Sequence, residues 1–240
     1  MKIDQTTEDR EAQDSRTVIA IYDLDRTVTR LPTYTAYLVF AARRLCPYRL
    51  LAAPLVVLAM AAHGLRIIDR AQLKGVMWRL LLGKVSRSAL DPVIAAFSAR
   101  TLARNIRAGA RASIDRDRAS GARLVLATAA HEIYAAPIAQ GLGFDAVIAT
   151  QVADHALGHV EPMLAGNVYA ANKLAAVQCW LDGQGLARGD VRMRFYSDSA
   201  SDRPLFEWVD EPVAVNPSRR LARLARTRRW PIEDWGAPPA

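Results

Sequence analysis

Asp23 and Asp25 stand two residues apart in the stretch Asp23-Leu24-Asp25-Arg26-Thr27-Val28-Thr29. One carboxylate of such a pair can attack as a nucleophile, and the other can serve as acid and then base. On its own the pair reads equally well as the mouth of a turn, where Asp is common. Further along lie Thr128, Lys173 and the run Tyr196-Ser197-Asp198-Ser199-Ala200-Ser201-Asp202. Singly, each has an ordinary explanation: Thr128 a turn hydroxyl, Lys173 a surface lysine, Asp198 and Asp202 the caps of a following helix. Together they fit phosphoryl transfer, in which a dianion must be neutralised, held in line and attacked. Asp23 would attack phosphorus, and Asp25 would protonate the leaving oxygen and later deprotonate the hydrolytic water. Asp198 would complete an oxygen site for Mg²⁺ with Asp23 and the Asp25 carbonyl. Asp202 would hold a metal-bound water or orient its loop. Thr128 would donate to a phosphate oxygen, and Lys173, the only lysine after Lys84, would offset the charge of the phosphoryl group and Asp23.

For these groups to meet, the elements before them must deliver them to one edge. The apolar, β-branched run ending at Tyr22 predicts a buried strand just before Asp23. Further strands are predicted over 123–128, 146–150, 191–196 and 213–215, with a short hairpin strand over 158–163. Helices are predicted over 110–120, 133–142, 172–181 and, with a basic face, 217–230. The last is read as an outer helix packing on the sheet through Leu221, Leu224 and Ala225, in preference to a nucleic-acid or lipid contact. Strand and helix alternating in this way give an α/β fold with a parallel, Rossmann-like sheet in a three-layer core. In such a sheet the carboxyl ends of the strands open on one edge, where ligands bind.

Residues 34–106 interrupt the alternation with helices alone, predicted over 34–45, 50–62, 67–82 and 88–106. The chain therefore divides into a leader (1–16), a core (17–33 and 107–232) and an inserted all-helical cap (34–106). The leader is polar, mixed in charge and without the apolar stretch of a secretion signal, so it is expected to be disordered. The segment 50–62 holds no charge. It is too short for a comfortable membrane span, which needs about 20 residues. The preferred expectation is a buried helix of a helical subdomain; the alternative is an interfacial helix resting on a bilayer.

The bulk composition is that of an ordinary globular chain, 51% hydrophobic and 23% charged. The net charge of +8 is carried almost wholly by arginine and favours acidic partners: phosphorylated metabolites, anionic lipid surfaces or nucleic acid. No zinc finger, RNA-binding aromatic signature or basic-helix dimer pattern is present, so no nucleic-acid partner is expected. Cys46 and Cys179 are far apart in sequence and read as reduced thiols of a cytoplasmic protein.

With these residues in view, the chain resembles the haloacid dehalogenase superfamily, in its phosphoserine-phosphatase-like branch with a helical cap after the first motif. The resemblance rests on D-L-D-R-T-V-T as first motif, L-A-T-A-A ending strand 123–128 as second, Lys173 as third and Y-S-D-S-A-S-D-R-P-L as fourth, and it spans residues 17–231. It implies a Mg²⁺-dependent phosphatase working through an aspartyl-phosphate. Two departures stand out. Arg26 replaces the usual glycine, and it either helps bind an anionic substrate or, as we read it, points to solvent. The stretch Arg30-Leu31-Pro32-Thr33 lacks the acid that holds a serine amine, so phosphoserine is a poor first substrate. The long apolar cap with basic edges (Arg43, Arg44, Arg49) resembles that of the branch's phosphatidylglycerophosphate phosphatases. That likeness implies a lipid phosphate as substrate, with peripheral membrane contact. A small soluble phosphomonoester is the alternative, and a non-catalytic phospho-ligand-binding regulator a further one.

Overall fold

The computed structural model describes residues 16–154, 159–162, 168 and 171–236. The expected leader, apart from Arg16, and both ends of the expected strand 158–163 lie outside the described residues. β1 (Thr17–Tyr22) is the predicted first strand. Its alternate residues face opposite ways: Ile19 and Ile21 enter one apolar cluster, Ala20 and Tyr22 the other. Both faces are buried, which explains why the strand reads as a continuous apolar run rather than an alternating one.

β1 pairs in parallel with β3 (Arg123–His131) on one side and β7 (Val191–Ser197) on the other. β4 (Ala146–Thr150), β8 (Glu211–Val215) and β9 (Ile232–Glu233) extend the sheet to the order β4-β3-β1-β7-β8-β9, parallel throughout. This is the expected α/β, Rossmann-like sheet. The chain leaves β1 toward β3 and later returns to pair on β1's other side with β7. The end of β1 is therefore the switch point where such sheets bind ligands. β9 was not predicted; a two-residue edge strand is too short to carry a pattern.

Helices cover both faces. α7 (Ala171–Gly183), α8 (Arg203–Trp208) and α9 (Arg219–Arg228) pack on the face holding Ile19, Ile21 and Phe195. As expected of the basic helix, α9 buries Leu221 and Ala225 against the sheet while its arginines face out. The other face carries α5 (Ala108–Ala119) and α6 (Glu132–Gly141). The inserted helices α1 (Thr33–Leu45), α2 (Ala53–Gly64), α3 (Arg70–Leu81) and α4 (Arg87–Arg104) contribute to the same apolar cluster. α3 starts on a capping box between Asp69 and Gln72.

The insertion differs from the expectation in two respects. It is helical except for the two-residue strand β2 (Val85–Ser86). β2 pairs antiparallel with β6 (His159–Pro162), which pairs in turn with β5 (Val152–Asp154). Val85 and Ser86 gave no sign of this, because their partners lie far away in sequence. The second difference is larger. The expected helix 50–62 is a 3₁₀ segment, Pro47–Ala52, followed by α2, and it is not a buried helix. Within α2 only Val56 is buried, while Leu55, Val57 and Leu58 face solvent.

Candidate active site

Asp23 immediately follows β1, and its amide donates to the Tyr196 carbonyl of β7 at 2.9 Å. Its carboxylate lies at the carboxyl edge of the sheet, where Oδ1 accepts from Lys173 Nζ at 2.7 Å. Lys173, in the first turn of α7, also donates to Asp202 Oδ2 at 2.9 Å. Asp202 is fixed in turn by the Ser197 hydroxyl at 2.7 Å. One buried ammonium thus bridges two buried carboxylates that are 179 residues apart in sequence. Removing Lys173 would leave two carboxylates uncompensated in the interior.

A cavity of about 250 Å³ opens beside this bridge, and Asp23, Asp25, Thr128, Lys173, Asp198 and Asp202 all line it. Every site residue named from sequence is therefore in one place. A larger, more open groove of about 800 Å³ lies between α8, β8 and the end of α9. It contains none of these residues. Asp25 is anchored through Oδ1, which accepts the Thr33 amide at 2.7 Å and the Thr33 hydroxyl at 2.8 Å. Thr128 Oγ1 accepts the Ala130 amide at 3.0 Å, which leaves its own O–H available to donate. Burial pushes the Asp23 carboxyl up to about 7, with Lys173 pulling it back. Burial likewise pushes Asp198 up to about 6, opposed first by Arg26. Held between Asp202 and Asp23, the Lys173 ammonium stays protonated despite its burial.

The chain matches the haloacid dehalogenase-like hydrolase family over residues 20–207, a span holding every one of these side chains. It belongs to that family. Among similar proteins, histidinol-phosphatase of Neisseria meningitidis is 26% identical over 63% of this chain and 69% of its own length. Phosphoserine phosphatase SerB1 of Mycobacterium tuberculosis is 36% identical over 48% of this chain and 37% of its own. The chain spans less than half the length of most of the curated relatives it matches. A protein of unknown function from Bordetella pertussis Tohama I has a solved structure that superposes with a TM-score of 0.81. It is 29% identical, covering 92% of this chain and 99% of that one.

Several residues of this haloacid dehalogenase-like site were not singled out from sequence. Thr27 donates to Asp23 Oδ2 at 3.3 Å and accepts the Asp198 amide at 3.0 Å, tying the loop after β1 to the loop after β7. Thr33 and Ser197 position Asp25 and Asp202 as described above. Thr27 and Ser197 both lie inside the quoted motifs, and that adjacency was the available signal. Arg70 and Lys74 of α3 carried no local signal. Arg70 lines the cavity, and Lys74 Nζ donates to the Ala129 carbonyl at 2.5 Å, fastening the insertion to the end of β3. Burial holds Lys74 down to about 8.

Arg26 departs from the reading that it points to solvent only. It is exposed, yet it lines the cavity and its charge acts on Asp198. Its φ of +66° lies in the left-handed region. That explains the glycine usual at this point of the motif: the turn needs a conformation that costs a side-chain-bearing residue about 1 kcal/mol.

Proposed function

We infer that the protein is a Mg²⁺-dependent phosphomonoesterase working through an aspartyl-phosphate on Asp23. The observation that carries this reading is the Asp23–Lys173–Asp202 bridge beside Asp25 and Thr128 in one cavity. A purely structural ion pair has no use for a second, separately anchored carboxylate at Asp25.

The donor set suits a hard cation. Among the described residues no three acidic, His or Cys side chains cluster to hold a metal. The set would instead be the Asp23 and Asp198 carboxylates with the Asp25 backbone carbonyl, oxygens throughout. Burial has raised both of those carboxyls, and a cation beside them would favour their ionised forms. Once bound, Mg²⁺ would neutralise charge building on the phosphoryl oxygens.

The chain's own groups then divide the work. An Asp23 oxygen attacks phosphorus as the bond to the leaving oxygen breaks, and Asp25 gives that oxygen its proton. Water next attacks the phosphorus of the aspartyl-phosphate and Asp25 takes its proton, releasing inorganic phosphate and restoring Asp23. Lys173 and Thr128 hold the transferring group in line. The helical segment 34–106 acts as a cap over the core formed by 17–33 and 107–232.

Arg26 and Arg70 both line the cavity that holds the carboxylates. They favour a substrate with a second anionic group on its leaving side. A lipid phosphate such as phosphatidylglycerol phosphate has one, and the exposed apolar face of α2 favours it over the soluble esters named for the relatives.

Phosphate release from p-nitrophenyl phosphate with Mg²⁺ tests the reading. Asp23→Asn should lower turnover by about 1,000-fold or more, and chelation should abolish it. An active Asp23→Asn protein, or tight binding of phosphorylated ligands without turnover across a broad panel, would sink the proposal.

A further inference from the structure

The stretch Pro47–Gly64 is long and apolar enough to span a membrane by composition, yet only 6% of it is buried. Leu51, Leu55, Val57, Leu58 and, just beyond, Leu65 and Ile67 are between 53% and 85% exposed. A contiguous apolar face of this kind marks an interaction surface rather than an ordinary exterior. The stretch lies along the body instead of standing away from it. At one end Arg49 donates to the Arg79 carbonyl of α3 at 2.9 Å. At the other, the His63 ring meets the Ile68 carbonyl at 3.0 Å, closing the turn that leads into α3. α2 itself has 12 residues, a length of about 18 Å, well short of the roughly 30 Å hydrocarbon core.

Charge decides which partner fits. Between Asp25 and Asp69 there is no acidic residue, while Arg43, Arg44, Arg49 and Arg66 all fall within that span. Arg43, Arg44 and Arg66 are exposed. A second copy docking through the same face would bring this acid-free, arginine-bearing surface against itself, and like charges oppose such a contact. An anionic lipid surface offers the complement: hydrocarbon for the leucines and phosphate for the arginines.

The chain leads from the flank of this face toward the cavity. Ile67 is three residues before Arg70, and the exposed Leu31 directly precedes Pro32; Arg70 and Pro32 both line the cavity. Three residues of chain reach about 10 Å at most. We propose that α2 and its flanks seat the protein on an anionic phospholipid bilayer, with the cavity wall at the headgroup level. Docking stands apart from the catalytic reading. Only its corollary, that the substrate is a phosphomonoester carried in the membrane, rests on that reading.

Sedimentation of the whole protein with vesicles tests this, comparing phosphatidylglycerol–phosphatidylcholine mixtures with phosphatidylcholine alone. The protein should sediment with the anionic vesicles and be released by high salt. The double variant Leu55→Asn/Leu58→Asn should weaken binding about tenfold or more. It should keep its circular dichroism and thermal midpoint, because neither side chain is buried. Arg43→Glu/Arg44→Glu should weaken binding to anionic vesicles as well. No sedimentation of the wild type, or sedimentation unchanged in both variants, would overturn the proposal. So would light scattering that finds a wild-type dimer converted to monomer by the leucine variant. Docking without turnover would leave this inference standing and remove the phosphatase reading alone.

Discussion

Arg26 holds φ 66° and ψ −8° because the chain must turn sharply between Asp25, which is anchored to Thr33, and Thr27, which is anchored to Asp23 and Asp198. Replacing it with glycine would release about 1 kcal/mol of strain and add back a similar backbone entropy in the unfolded chain. Arg26→Gly should therefore leave urea stability within about 1 kcal/mol of wild type. Its effect belongs on binding. KM for an ester with a second anionic group should rise about tenfold at low salt, while p-nitrophenyl phosphate, which lacks that group, should be little affected. Steady-state kinetics on the two substrates separates a substrate-facing guanidinium from one that only meets water.

At the scale of elements, β1 and β7 are locked together just behind the site. Tyr22 and Tyr196 stack with centroids 4.5 Å apart. Both hydroxyls donate to the buried Asp117 of α5, at 2.6 and 3.1 Å, and Arg194 closes the network on its other oxygen at 2.6 Å. Asp117→Ala would remove the acceptor of two buried hydroxyls, leaving Tyr22 with Ser113 and Tyr196 with Arg116, and would loosen Arg194. It should cost about 3 kcal/mol in urea denaturation and lower turnover by misplacing Asp23, the residue after Tyr22.

The end of β3 holds a different liability. His131 is buried among Trp78, Tyr34 and Tyr134, and its Nδ1 has no hydrogen-bond partner among the described residues. Burial, helped by Lys74, pushes its pKa down to about 3. Unfolding frees the ring to take a proton near its ordinary pKa of about 6.5. Its contribution is thus complete above that value and is lost as pH falls from there toward 3. By pH 5 the loss is about 2 kcal/mol. His131→Phe should flatten the fall in denaturant midpoint between pH 7 and 5.

For the molecule as a whole, a cation that binds only the folded state must raise its stability by mass action. At about 100 times its dissociation constant, Mg²⁺ would add about 2.7 kcal/mol, or roughly 5–10 °C for a chain of this size. Calorimetry with and without Mg²⁺ should show that rise in the wild type. Asp198→Asn should lose most of it while folding normally without metal, because Asp198 is only half-buried. A rise unchanged in Asp198→Asn would remove Asp198 from the metal site.

How far these features were legible follows from how local each signal is. Ile19 to Tyr22 and Leu124 to Ala127 are buried on both sides, so their strands announce themselves as apolar runs of the right length. Asp23, Asp25, Asp198 and Asp202 sit immediately after such strands, and parallel pairing alone then brings them to one edge. The sequence by itself therefore determined five of the sheet's six strands and, at their ends, the four carboxylates and Thr128. It could not decide what depends on partners distant in the chain. Thr33 holds Asp25 through a turn with no pattern, Lys74 and Arg70 reach the core from a separate helix, and β2 exists only because β6 lies beside it. Above all, the apolar run around Leu55 and Leu58 reads the same whether protein or solvent covers it. Burial is a property of the neighbours a segment meets, and only the tertiary structure showed that this one leaves most of its large apolar side chains uncovered.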